Sequence, residues 1–147
     1  ALYKSKRGIL KAIRESWHGE SGMRDLLHQA LQEPEPALRL EQAAHFTRRQ
    51  WETGARLIAI YQSAAAVDPE AAAEFALALA GRRQNLTGFI QQSAPLLRSG
   101  LEPDRAAAIF LSLTQAEIYQ QLVNVFGWTA DEYEAWLGDC LKQQLLG

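Results

Sequence analysis

Arg82 falls on the apolar side of a long helical repeat that also carries Phe75, Leu79, Leu86 and Phe89. Spacings of three, four and seven residues put such side chains on one helix face. A guanidinium on that face loses water and needs acceptors to replace it. Glu117 raises the same question, because it lies near Phe110 and Thr114 on a stripe continued by Gln121 and Asn124. Two kinds of chemistry fit. One is a salt bridge or hydrogen-bond network that fixes the register between helices. The other is a cavity between the middle helices, walled by aromatic rings and supplied with a few polar handles, the usual make-up of a small-molecule site. Trp17, Trp51, Tyr61, Phe75, Phe89 and Phe110 are candidate walls, each of which could instead be plain core, and Arg82, Glu117 and Arg48 are candidate handles.

Other chemistries find weaker footing. Glu15–His18 and Asp25–His28 have the Glu-x-x-His type of spacing used in di-iron bundles, but such sites draw on two motifs and two further carboxylates from long helices. The first motif here ends at a helix terminus and the second holds His28 off the apolar stripe, so no metal or other cofactor is expected. His45 also lies off its helix's apolar face. Cys140 sits on an apolar stripe without a histidine nearby in sequence, which favours packing over reactivity. No serine stands in a nucleophile-elbow context and no glycine-rich phosphate loop is present, so no catalytic residue is assigned.

The elements that would position these residues are helices. Apolar side chains recur at three- and four-residue spacing and β-branched runs are scarce, which predicts an all-α bundle of six or seven helices. The expected elements run from about Ser5 to Trp17, Gly22 to Gln32 and Pro36 to Trp51. A fourth follows Gly54 with Leu57, Ile60, Tyr61 and Ala64 inward. The sequence Asp68-Pro69-Glu70 restarts the chain with an N-cap, a first-turn proline and an acid at the positive helix end. That fifth helix should reach about Gln92. A connector from Pro95 to Pro103 leads to a sixth helix ending near Phe126, and Thr129–Glu132 is a capping box for the last.

The chain has 147 residues, room for one well-packed domain. No apolar run is long enough for a membrane span and no signal-peptide pattern is visible. One cysteine excludes an internal disulfide and fits a reducing, cytoplasmic setting. Charge is uneven: Lys4, Lys6, Arg7, Lys11 and Arg14 crowd the start, while the remainder holds ten basic against seventeen acidic residues. So acidic a body is poorly suited to gripping a phosphate backbone by itself.

The sixth helix is expected to be apolar almost all round, with Ile109, Leu113 and Val123 on one side and Leu111, Ile118, Leu122, Val125 and Phe126 on another. A helix of that kind is buried nearly all round, either in the chain's own core or between two copies. The second option makes a homodimer interface of Leu111, Ile118 and Leu122 together with Tyr133, Trp136, Leu137 and Cys140 of the last helix.

The order of segments, with "SKRGIL" opening a helix, then "DPE", "GLEPDRAA" and "GWTADEYEAWL", resembles the C-terminal regulatory domain of TetR-family transcriptional regulators along essentially the whole chain. The stretch "YKSKRGIL" is similar to that family's junction between recognition helix and connecting helix. The resemblance implies that residues 1–17 are the junction and connecting helix, and that 18–147 form a ligand-binding and dimerisation domain. It further implies a homodimeric bacterial repressor. In that arrangement a small, largely apolar effector lowers the affinity of N-terminal helix-turn-helix heads, outside this sequence, for duplex operator DNA. A ligand-free helical interaction module and an enzyme on a helical bundle are the alternatives.

Overall fold

The computed structural model describes residues 8–12, 14, 15 and 22–147. Among them there are seven α-helices, one 3-10 turn, one π-helical segment and no strands, so the all-α expectation holds. Helix α1 comprises 8–12 with 14 and 15, and α2 is Met23–Gln32. Of the expected junction and connecting helix, residues 1–7, 13, 16 and 17 lie outside the described residues, as does His18.

Helix α3 spans Pro36–Ala65 without interruption, started by Pro36 and by the Glu35 carboxylate, which accepts from the Leu38 N–H at 2.7 Å. The separation expected at Gly54 does not occur. A lone glycine inside a helix costs only about 1 kcal/mol, and here Gly54 is buried between Gln50 and Trp51 on one side and Leu57, Ile58 and Tyr61 on the other. Packing on both sides carries the helix through. Helix α4, Pro69–Gln92, begins as expected, with the Asp68 carboxylate accepting from the N–H groups of Glu70 and Ala71. A 3-10 turn at Ala94–Leu96 leads into the connector.

The single helix expected up to Phe126 is three pieces: α5 (Pro103–Leu113), α6 (Ala116–Tyr119), and a π-helical continuation at Gln120–Val125. The break is at Thr114 and Gln115, the latter extended with φ −72° and ψ 149°. Thr114 is fully buried and its hydroxyl donates back to the Phe110 carbonyl at 2.8 Å, a local bond that competes with helix continuation. Helix α7, Ala130–Leu145, starts with both bonds of the expected capping box: Glu132 N–H to Thr129 Oγ1 and Thr129 N–H to Glu132 Oε1, each 3.1 Å.

Helices α3 and α7 pack together most extensively. Between them and α4 and α5 lies the main core, centred on Phe46, Phe89 and Phe110. Phe46 meets Phe89 edge-on at 5.5 Å, and the Phe89 and Phe110 centroids are 5.7 Å apart. Tyr133, Leu137, Leu141 and Leu145 of α7 close this core with no exposed surface. A smaller cluster joins Leu10 of α1 to Leu57, Tyr61 and Ala71, and the Tyr61 hydroxyl donates to the Leu10 carbonyl at 3.0 Å.

Candidate functional site

A cavity of about 930 Å³ opens between α3 and α4, with α1 and α2 at its mouth. Its α3 wall runs from Gln50 to Tyr61 and its α4 wall from Phe75 to Leu86. The helical period explains why: Gln50, Trp51, Ile58 and Tyr61 repeat on one side of α3, and Phe75, Ala78, Arg82 and Leu86 on one side of α4. Tyr61 and Phe75 stack at 5.4 Å with their planes 21° apart, forming an aromatic end.

Arg82 forms the polar end. Its Nε donates to Gln50 Oε1 at 3.3 Å, and its Nη2 donates to the Thr114 carbonyl at 2.7 Å and hydroxyl at 3.1 Å. The guanidinium carbon lies 4.9 Å from the centre of the Trp51 ring, a cation–π contact. Trp51 Nε1 donates to the same Thr114 carbonyl at 3.0 Å. The helix break thus becomes intelligible. Where α5 stops, the Thr114 carbonyl has no helical donor, and Trp51 and Arg82 both donate to it. Arg82 also meets the negative end of the α5 dipole. Burial pushes its pKa down to about 10, against the opposing influence of Tyr133 and Glu117, so it remains charged at neutral pH.

At the other end, Arg14 of α1 pairs with Glu74 at 2.6 Å, and Glu74 is only 3% exposed. This pair ties the first helix to α4 beside the cavity mouth, so movement of α1 and occupancy of the cavity share a boundary.

Of the residues predicted to line a site, the cavity brings together Trp51, Tyr61, Phe75 and Arg82. It lies nearer the N-terminal helices than expected, and none of its lining comes from α5 to α7. Phe89 and Phe110 are core: each is buried against the other and against Phe46. Arg48 is a strap, bonded to Glu52 of its own helix and reaching across to Asp131 and Glu134 of α7. Glu117 is exposed and accepts from Gln62 Nε2 at 3.4 Å, with no ion pair to Arg82. Trp17 lies outside the described residues.

Sequence reasoning passed over Gln50, Thr114 and the Arg14–Glu74 pair. For Glu74 a signal existed: it is the one acid inside the run from Ala71 to Ala80, on a helix whose neighbouring faces are alanine and phenylalanine. For Thr114 the signal is weaker, since a threonine amid leucines reads as an ordinary helical residue.

The expected interface residues divide. Tyr133 and Leu137 are wholly inside the chain's own core and have no surface to offer a second chain. Leu111, Ile118, Leu122, Trp136 and Cys140 keep partial exposure. Val125 and Phe126, at the end of the π-helix, are 67% and 66% exposed. A shallow apolar groove between α5 and α7 includes Ile109, Leu113 and Cys140. Burial, then the neighbouring Asp139, pushes the Cys140 thiol up, away from the thiolate form. The Tyr133 hydroxyl, enclosed near Arg82, has no hydrogen-bond partner among the described residues, and burial raises its pKa well above the usual phenol range.

Among the described residues no cluster of His, Cys, Asp or Glu could hold a metal ion, and no helix is long and apolar enough to cross a membrane. His45 Nδ1 lies 2.8 Å from Glu134 Oε1. The chain matches no family model, no curated protein and no solved structure. What defines the described residues is therefore their architecture: an all-α bundle with an aromatic-walled cavity open between α3 and α4 and lined by Arg82.

Proposed function

We propose that this chain is the effector-sensing, dimerising domain of a TetR-like transcriptional repressor. The observation that carries the reading is the cavity between α3 and α4, with Trp51, Tyr61 and Phe75 as walls and Arg82 as its polar end. Its volume, about 930 Å³, is at the upper end of what small-molecule sites occupy. The Arg14–Glu74 pair supports a route from the cavity to α1, the helix that would connect to the DNA-binding heads. An effector that binds better when α1 is displaced favours the state in which the heads are wrongly spaced, and operator affinity falls by that differential binding energy. The partner surface comes from the still-exposed face of α5 to α7: Leu111, Ile118, Leu122, Trp136 and Cys140, extended by Val125 and Phe126.

Two heads can be held at a fixed spacing only if the domain pairs. Light scattering of the purified chain at micromolar concentration is expected to give twice its 16.4 kDa mass. A monomeric mass under those conditions contradicts the reading.

A further inference from the structure

We infer that the cavity is built for an organic acid: a molecule with one carboxylate, held by Arg82, and an apolar body about 10 Å long directed toward the Tyr61–Phe75 stack. The inference rests on reading this cavity as an effector site, and it adds the ligand's chemical class.

The charges that line the cavity are not equally compensated. Arg14 is neutralised by Glu74, and Glu15, Arg24 and Asp25 are at the mouth, where Glu15, Arg24 and Asp25 are exposed to water. Arg82 differs. Its protein acceptors are all neutral, namely an amide oxygen, a hydroxyl and a main-chain carbonyl. Among the described residues no carboxylate is in ion-pair contact with it, and its Nη1 makes no hydrogen bond. Glu117, whose charge it senses, is exposed and turned toward Gln62. The end of the α5 dipole offsets only part of a unit charge. Arg82 lines the cavity, and a desolvated guanidinium with one unused nitrogen is best completed by an anionic oxygen, which forms the stronger, charge-assisted type of bond.

The remaining dimensions follow from α4. Phe75 and Arg82 are seven residues apart on one face, about 10 Å along the helix axis. A carboxylate at Arg82 therefore places the far end of a ten-carbon chain beside the Tyr61–Phe75 stack, with Ile58, Ala78 and Leu86 along its flanks. The cavity's cation fixes orientation, and its apolar walls supply the area.

Decanoate and decan-1-ol, equal in length and differing in the head group, make the test. Each is titrated into the full chain and into Arg82→Met, below the concentration at which it aggregates, with calorimetry as the readout. The expected result is that the wild-type chain prefers decanoate by about tenfold or more, and that R82M loses this preference while still binding decan-1-ol. Equal binding of acid and alcohol by the wild-type chain, or a preference that survives R82M, overturns the inference and leaves the cavity standing as an apolar site. Binding of neither compound overturns the cavity reading itself, and the inference with it. If R82M does not fold, the wild-type comparison decides alone: a preference below about threefold overturns the inference.

Discussion

A chain ending at Phe126 is expected to lose its cooperative fold altogether. Such a truncation removes α7 and with it Tyr133, Leu137, Leu141 and Leu145, four side chains with no exposed surface. Deleting one buried leucine side chain costs about 2–5 kcal/mol, and a domain of this size has only about 5–15 kcal/mol in total. Four such losses, about 8–20 kcal/mol, are as large as the whole margin. The missing helix also uncovers the face of α3 against which it packs most extensively and releases Arg48 from Asp131 and Glu134. The truncated chain should show no cooperative thermal transition and should aggregate. A sharp transition with a monomeric mass would mean that α7 is an accessory to the fold and that its apolar stripe serves a partner instead; a sharp transition with a dimeric mass would mean that α7 is needed for neither.

Phe110→Ala is the second large effect. Phe110 has no exposed surface and meets Phe46 and Phe89 with centroid separations of 6.4 and 5.7 Å. Truncating a buried phenylalanine costs about 3–5 kcal/mol, to which loss of the ring pairs contributes. Urea denaturation should record a drop of that size. The cavity is lined by other residues, so ligand affinity of the folded fraction should stay near wild type. A loss under about 1 kcal/mol, or a large change in ligand affinity at unchanged stability, would put Phe110 back among the site residues.

These two positions show what was legible in the sequence. Helix starts were readable because capping is local. Asp68-Pro69-Glu70 and the Thr129–Glu132 box each state their own geometry within four residues, and the structure reproduces both. Helix interiors were less readable. Gly54 and Thr114 invite opposite predictions from propensity, a break at the glycine and continuity at the threonine, and each was decided by tertiary contacts. Buried neighbours on both sides carry α3 through Gly54. At Thr114 the opposite happens, because Trp51 and Arg82, 63 and 32 residues away in sequence, take the carbonyl that a continuing helix would have used.

The site was legible to a similar degree. The period of α4 identified Phe75 and Arg82 correctly as neighbours on one inward face. It could not tell that Phe89, on the same stripe two turns further on, belongs to the core and not the cavity, because periodicity gives a face and not what covers it. Glu117 dropped out of the candidate site for a related reason. The break at Thr114 and Gln115 re-aims α6, so the stripe that joined Glu117 to Phe110 on an ideal helix does not exist.

The central claim is that the cavity between α3 and α4 takes a small molecule. The most direct test is fluorescence titration with N-phenyl-1-naphthylamine, a neutral dye that needs no anion site, of the wild-type chain and of Ala78→Trp. Ala78 lines the cavity wall between Phe75 and Arg82, so an indole there fills the space the dye would use. The prediction is one saturable site per chain in the wild type and at least about tenfold weaker binding in a variant that melts at a similar temperature. Absence of saturable binding, or equal binding by the two folded proteins, would contradict it.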